Sequence, residues 1–173
     1  MDSNRKSINF HKLYSRPLVV PASGVHNAED FIDRAFLTNP EGVLLHIGVN
    51  DISCGAEPQA LSDRIVALAI RANENFKCPV YVSGITPLQC FVHEVNLCNE
   101  LIRKAIQKLH KLTFVDNANI NQNHLVDDRH LTTKGPLYRW TGRDLLVENF
   151  VKSSLQKSFS LQDIKETYRN RFR

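Results

Sequence analysis

Short apolar runs alternate along the chain with segments in which apolar residues recur at helical spacing. A continuous apolar run of four or five residues is typical of a strand that is covered on both faces. Such runs predict strands at residues 17–20, 43–47, 80–83 and 112–115. Strands that alternate with helices over short links predict a mainly parallel sheet with helices on both faces. The expected fold class is therefore α/β, with three α/β/α layers.

The segments between these runs predict the helices. The first helix should begin at Asn27, whose side chain can cap it, and should stop before the turn residues 39–42. Its apolar stripe would consist of Phe31, Ile32, Ala35 and Phe36. After a loop at 48–58, one helix should end near Phe76. Further helices are expected over about 92–110 and 135–150, and the helix at 92–110 should turn Val95, Leu101, Ile102, Ile106 and Leu109 inward.

Length and charge predict one domain followed by a basic tail. Its 173 residues fit one domain, and 42% hydrophobic residues suffice for a core. Residues 152–173 hold six basic and two acidic side chains, which accounts for the whole net charge of +4. We therefore predict one domain over 1–151 and a basic tail over 152–173. Such a tail can contact nucleic acid.

Composition also bears on where the protein is located and on whether it needs a cofactor. No apolar run reaches the roughly 20 residues of a membrane span, and no signal peptide is expected at the N-terminus. The four cysteines form no C-x-x-C pair and no zinc-finger spacing. We expect free thiols in an intracellular, cytoplasmic protein that needs no metal or other cofactor.

Residues suited to acyl transfer follow three of the predicted strands. Gly24 follows the first, and Gly48 and Asn50 follow the second, where a backbone N–H and an amide can stabilise an oxyanion. Asp127 and His130 follow the last strand, and an Asp near a His can orient the ring as a base. The carboxyl ends of parallel strands share one edge of a sheet, so these residues predict one site there.

These motifs resemble those of the SGNH, or GDSL-like, hydrolases. The pairing of G-x-N-D at 48–51 with D-x-x-H-L-T at 127–132 carries the resemblance, which covers about residues 2–150. The sequence around Gly24 and Asn50 is most similar to SGNH-like esterase domains encoded by retrotransposons. The resemblance therefore implies that the domain over 1–151 is SGNH-like. The resemblance implies a serine esterase that acts on small acyl or acetyl esters.

The resemblance also implies a role for each site residue. Met1-Asp2-Ser3-Asn4 resembles the family's G-D-S block with methionine in place of glycine, so Ser3 would be the nucleophile. His130 would be the base and Asp127 its orienting partner. Ser3, Gly24 and Asn50 would form the oxyanion hole. Because the family's first strand precedes this serine, we expect that strand to be missing and the enzyme to be impaired.

Two other functions compete with the esterase. The first is a catalytically silent SGNH-like module that binds RNA or another partner, in the manner of the Oskar domain, and the basic tail favours it. The second is a decayed transposon remnant. Asn50, Asp127 and His130 favour the esterase, because a pure binding module has no evident need for all three. His46 is interpreted as a packed side chain, since it lies within an apolar run.

Overall fold

The structure is a computed structural model that describes residue 18, residues 20–125 and residue 149. A parallel sheet of three short strands organises this part of the chain. Asn149 is helical, and 3-10 turns occur at Gln89–Phe91 and Gln122–His124. In chain order the elements are α1 (Val25–Arg34), β1 (Val43–Leu45), α2 (Val49–Ser53), α3 (Pro58–Phe76), β2 (Val80–Ser83), α4 (Val92–Ile106) and β3 (Leu112–Val115).

The strands pair in the order β1-β2-β3, and both pairs are parallel. Val80 is opposite Val43 on one side and Leu112 on the other, and all four residues of β2 are buried. Helix α3 connects β1 to β2, and α4 connects β2 to β3. Because α3 packs against both α1 and α4, these helices form one layer over the sheet. The predicted α/β class is confirmed, while a helical layer on the other face stays a prediction.

Helix α3 shows how the local sequence sets an element. The Glu57 carboxylate accepts hydrogen bonds from the Gln59 and Ala60 N–H groups at 2.9 and 2.7 Å, and proline occupies the first position of the helix. The helix ends at Phe76, as predicted. Lys77 then adopts the left-handed conformation, with φ at 54°. The buried stripe of α3 consists of Leu61, Ile65, Leu68, Ala69, Ala72 and Phe76.

The prediction of a strand at 17–20 is wrong at residues 18 and 20, the two that the structure describes. Leu18 and Val20 lie outside any strand, and Leu18 is 72% exposed. Prolines flank the run at positions 17 and 21, and proline has no N–H to give to a strand ladder. An apolar run between two prolines is therefore a weak strand.

Helix α1 begins two residues earlier than Asn27, with Gly24 at the N-cap position. Asn27 lies inside the first turn, where its side-chain oxygen accepts a hydrogen bond from the Ser23 hydroxyl instead of capping the helix. Ile32 is buried as predicted, but Phe36 is 94% exposed because the helix ends at Arg34. The extended backbone that follows Arg34 turns Phe36 away from the helical stripe.

Two further boundaries differ from prediction. The segment expected as a loop at 48–58 contains the short helix α2, which follows Gly48 at φ 112° and stops before Gly55 at φ 86°. Helix α4 ends at Ile106, four residues early, because the chain must turn into β3. The Leu109 N–H bonds the Ile106 carbonyl, and the Leu112 N–H bonds the Leu109 carbonyl. The predicted helix at 135–150 lies outside the described residues except for Asn149.

Candidate active site

The turn after β1 brings Asn50 and Asp51 to the edge of the sheet. His46 and Ile47 continue from β1 into the core, and Gly48 then reverses the chain with φ at 112°. A Cβ on Gly48 would lie 2.7 Å from Cδ1 of Ile85, so the position has neither the backbone freedom nor the space for another residue. This turn places Asn50 and Asp51 in the first turn of α2.

Asn50 and Asp51 both contact the segment around Gly24. The Asn50 amide donates to the Ser23 carbonyl at 2.7 Å, and the Asp51 carboxylate accepts from the Val25 N–H at 3.2 and 3.3 Å. Gly24 lies between these two bonds and has an extended backbone. The structure therefore joins the predicted Gly24 and Asn50 at one place, although they are 26 positions apart.

Position 24 requires glycine because a side chain has no space there. The backbone conformation does not require it, since any residue can adopt an extended backbone. A Cβ there would lie 2.9 Å from Oδ1 of Asp51 and 3.2 Å from the carbon of the same carboxylate. The Gly24 carbonyl accepts from the Ala28 N–H at 3.3 Å, which starts α1. A side chain at position 24 would push the carboxylate away from the first turn of the helix.

Unused donors remain at this contact. Among the described residues, the Gly24 N–H makes no hydrogen bond, as is common at a helix N-terminus. The Asn50 amide nitrogen carries a second hydrogen besides the one that bonds the Ser23 carbonyl. Two N–H donors beside a helix N-terminus can stabilise negative charge on an oxygen.

Charged groups next to the site balance one another. Arg64 donates to Glu29 at 2.8 Å, and this hydrogen bond, with a smaller contribution from the Asp51 charge, raises the pKa of the Arg64 guanidinium. Arg71 pairs with Glu29 and with Asp33 at 3.4 and 3.2 Å. These pairs join the middle and the end of α1 to α3.

A buried polar network lies beside the same strand ends, and sequence reasoning missed it. The Ser83 hydroxyl is 2.9 Å from Nδ1 of His46 and accepts from the Asn117 amide at 2.8 Å. The Asn149 amide donates to the side-chain oxygens of Asn117 and Asn119 at 3.1 and 2.7 Å. His46 is 1% exposed, so its interpretation as a packed side chain is confirmed. Ser83, a polar residue at the end of an apolar run, was a sequence feature that could have indicated this network.

Three predicted site residues lie outside the described residues: Ser3, Asp127 and His130. Their grouping into a triad stays a prediction, as does the part of Ser3 in an oxyanion hole. The described residues contain no cluster of three or more His, Cys, Asp or Glu side chains able to hold a metal ion. None of the helices in that part of the chain combines the length and the apolar character that crossing a membrane demands.

Several solved structures have a fold similar to that of this chain. No protein-family model and no curated protein sequence matches the chain. Among solved structures, it is similar to a lipolytic protein of the G-D-S-L family from Veillonella parvula, with a TM-score of 0.58 and 16% identity over 75% of this chain and 72% of that one. It is also similar to a carbohydrate esterase of family 3 from Talaromyces cellulolyticus, with a TM-score of 0.63 and 18% identity over 84% of this chain and 77% of that one.

A third similar structure is the OSK domain of Drosophila Oskar, with a TM-score of 0.53 and 19% identity over 75% of this chain and 69% of that one. The parallel sheet and the helices that connect its strands fit these similarities. The chain therefore has the SGNH-type α/β fold that the G-D-S-L lipolytic protein, the family 3 carbohydrate esterase and the OSK domain share.

Proposed function

We propose that the protein is an SGNH-type serine esterase that hydrolyses acyl or acetyl esters, with Ser3, His130 and Asp127 as its triad. The observation that carries the proposal is the contact of Asn50 and Asp51 with the residues on either side of Gly24. This contact brings the segment around Gly24 to the end of β1, and the carboxyl ends of parallel strands are the usual place for a site in such a sheet. The esterases of the same fold add support.

The reaction needs only side chains, backbone N–H groups and water. The Ser3 hydroxyl attacks the ester carbonyl carbon while His130, oriented by Asp127, takes its proton. The carbonyl oxygen becomes an oxyanion that accepts from the Gly24 N–H, the Ser3 N–H and the Asn50 amide. The C–O bond then breaks, and His130 protonates the departing alcohol. Water attacks the acyl-serine by the same steps and releases the acid.

The test is the turnover of p-nitrophenyl acetate by the full chain and by an Asn50→Ala variant. Removal of one oxyanion donor is expected to lower kcat by roughly 10²–10³-fold. Asn75→Ala is the matched control, because the Asn75 amide donates to the Ile32 carbonyl near the other end of α1 at 3.1 Å. Ser3→Ala and His130→Ala should abolish turnover. Turnover that survives in both of these variants, or is absent from the folded parent, contradicts the proposal.

A second candidate function is a catalytically silent binding module. The OSK domain has the same fold, and residues 152–173 carry the net positive charge of the chain. This candidate expects affinity for single-stranded RNA that falls as salt rises, since each cation that contacts a phosphate displaces a counterion. Deletion of residues 152–173 should flatten the salt response. RNA binding that is insensitive to both changes argues against it.

A further inference from the structure

We propose that Asp51 is a positioning residue that fixes the Gly24 amide relative to the Asn50 side chain. The inference rests on the proposed function and extends it, because Asp51 itself would touch neither the substrate nor the reacting atoms. Its carboxylate would act through the Val25 N–H and the backbone that joins Val25 to Gly24.

Two neighbouring side chains hold Gly24 from both sides. Asn50 bonds the carbonyl of the preceding residue at 2.7 Å, and Asp51 bonds the N–H of the following residue at 3.2 Å. The Asn50 bond holds the peptide that carries the Gly24 N–H, but a single bond lets this peptide turn about its carbonyl. The Asp51 bond holds the next peptide and so fixes the Gly24 Cα, which removes this turn and gives the Gly24 N–H one direction relative to the Asn50 amide.

Asp51 also suits a lasting bond better than a neutral residue would. A carboxylate that accepts a backbone N–H makes a stronger bond than a neutral acceptor, and the N-terminus of α1 favours negative charge. Asp51 is partly buried, and its charge reaches Arg64 on α3. The carboxylate also fills the space next to Gly24, where a Cβ would meet it at 2.9 Å.

Other residues already supply the packing of α1. Glu29 and Asp33 bind α1 to α3 through Arg64 and Arg71, and Val25 and Ile32 are buried in the core. If Asp51 served only to dock α1, its removal would cost stability and leave the donors in place. A positioning role instead expects a loss in kcat that exceeds any loss in stability.

The experiment compares Asp51→Ala, Asp51→Glu and Asp51→Asn in the full chain. It measures kcat and KM with p-nitrophenyl acetate, the backbone amide resonances of Gly24 and Val25, and thermal unfolding. Misplaced donors are expected to lower kcat of Asp51→Ala by about 10- to 100-fold, with KM changed less than about 3-fold. Both amide resonances should shift. Asp51→Asn keeps an acceptor of the same shape and should recover most of kcat.

Asp33→Ala is the matched control, because Asp33 is another carboxylate that joins α1 to its surroundings, through Arg71 at 3.2 Å. It should leave kcat and the Gly24 resonance unchanged. If Asp51→Ala does not fold, Asp51→Glu tests the same point, since it keeps the charge and moves the carboxylate by one methylene.

The outcomes separate the two proposals. A parent chain without turnover overturns the esterase, and the amide resonances then decide alone whether Asp51 fixes Gly24. Unchanged Gly24 and Val25 resonances in a folded Asp51→Ala or Asp51→Glu variant overturn the positioning role. So does a fall in kcat that Asp33→Ala reproduces.

Discussion

Gly48 and Gly55 flank α2, and their different surroundings separate backbone freedom from space. Both have positive φ, at 112° and 86°. A Cβ on Gly48 would meet Cδ1 of Ile85 at 2.7 Å, whereas a Cβ on Gly55 would meet nothing within 4 Å. The two positions are therefore a matched pair in which only one adds a steric conflict.

We expect Gly55→Ala to lower the free energy of unfolding by about 1–2 kcal/mol, the cost of positive φ for a residue with a Cβ. Gly48→Ala should lose a further ~1 kcal/mol through overpacking, because the end of the Ile85 side chain can move only in part. Urea unfolding of the two variants measures the difference. Ile85→Val removes the conflicting atom, so Gly48→Ala made in that background should show little of the extra loss, and equal losses at both glycines in the parent would contradict this account.

Some residues of the candidate site could be predicted at this scale, but the contacts between them could not. Gly24, Gly48 and Asn50 were identified because glycine and asparagine after apolar runs have recognisable chemistry. The bond from the Val25 N–H to Asp51 joins residues 26 positions apart, and no spacing along one element encodes it. The contact between Ser83 and His46 was missed for the same reason, since it spans 37 positions.

At the scale of the element, the N-terminus of α3 is the clearest case of local control. The Glu57 carboxylate accepts two backbone N–H bonds, which lower the pKa of Glu57. A lowered carboxyl pKa contributes stability above the ordinary Glu pKa of about 4.3, and that contribution is lost as pH falls through the lower folded value. The cap should therefore weaken in acid.

We expect Glu57→Gln to remove this part of the acid response, because an amide oxygen still caps the helix but does not titrate. Thermal unfolding of parent and variant between about pH 6 and pH 3 measures it, with the parent losing more stability than the variant. Glu74→Gln on the same helix is the control. A variant whose stability falls in parallel with the parent would show that the cap charge does not matter.

At this scale, α1 was predicted in the right place but with the wrong ends. The apolar stripe of α1 was predicted correctly at Ile32 and wrongly at Phe36, because the chain leaves the helix at Arg34. Asn27 has the chemistry of a cap, yet the helix begins at Val25, where Asp51 from another element accepts the first N–H. A tertiary contact therefore took the place of the local cap.

At the scale of the whole molecule, the layer of helices over the sheet decides which thiols meet solvent. Cys78 and Cys98 are buried, and Cys54 and Cys90 are exposed. Cys98 lies on α4 with no exposed surface, and burial raises its pKa to about 12. A thiol that is both inaccessible and neutral reacts only when the structure opens.

We expect two thiols to react quickly with Ellman's reagent at pH 8 and two to react only on opening, at least about 100-fold more slowly. A Cys54→Ser/Cys90→Ser variant isolates the slow pair. Sub-denaturing urea should speed the Cys98 reaction, which would then measure the opening of the α4 layer. Four thiols that react at one rate in the native protein would contradict the predicted protection.

Apolar patterns along the sequence were enough to predict several of the elements and the chemistry of their side chains. Continuous apolar runs identified the strands at 80–83 and 112–115, and periodicity identified α3, because burial on a sheet or a helix face imposes a regular spacing. Only the folded chain shows that Asn50 and Asp51 hold Gly24 between them, and that His46, Ser83 and Asn117 share one buried network. Such bonds could not be predicted because they depend on how α1 docks and how β1 ends, and both follow from packing across the whole domain.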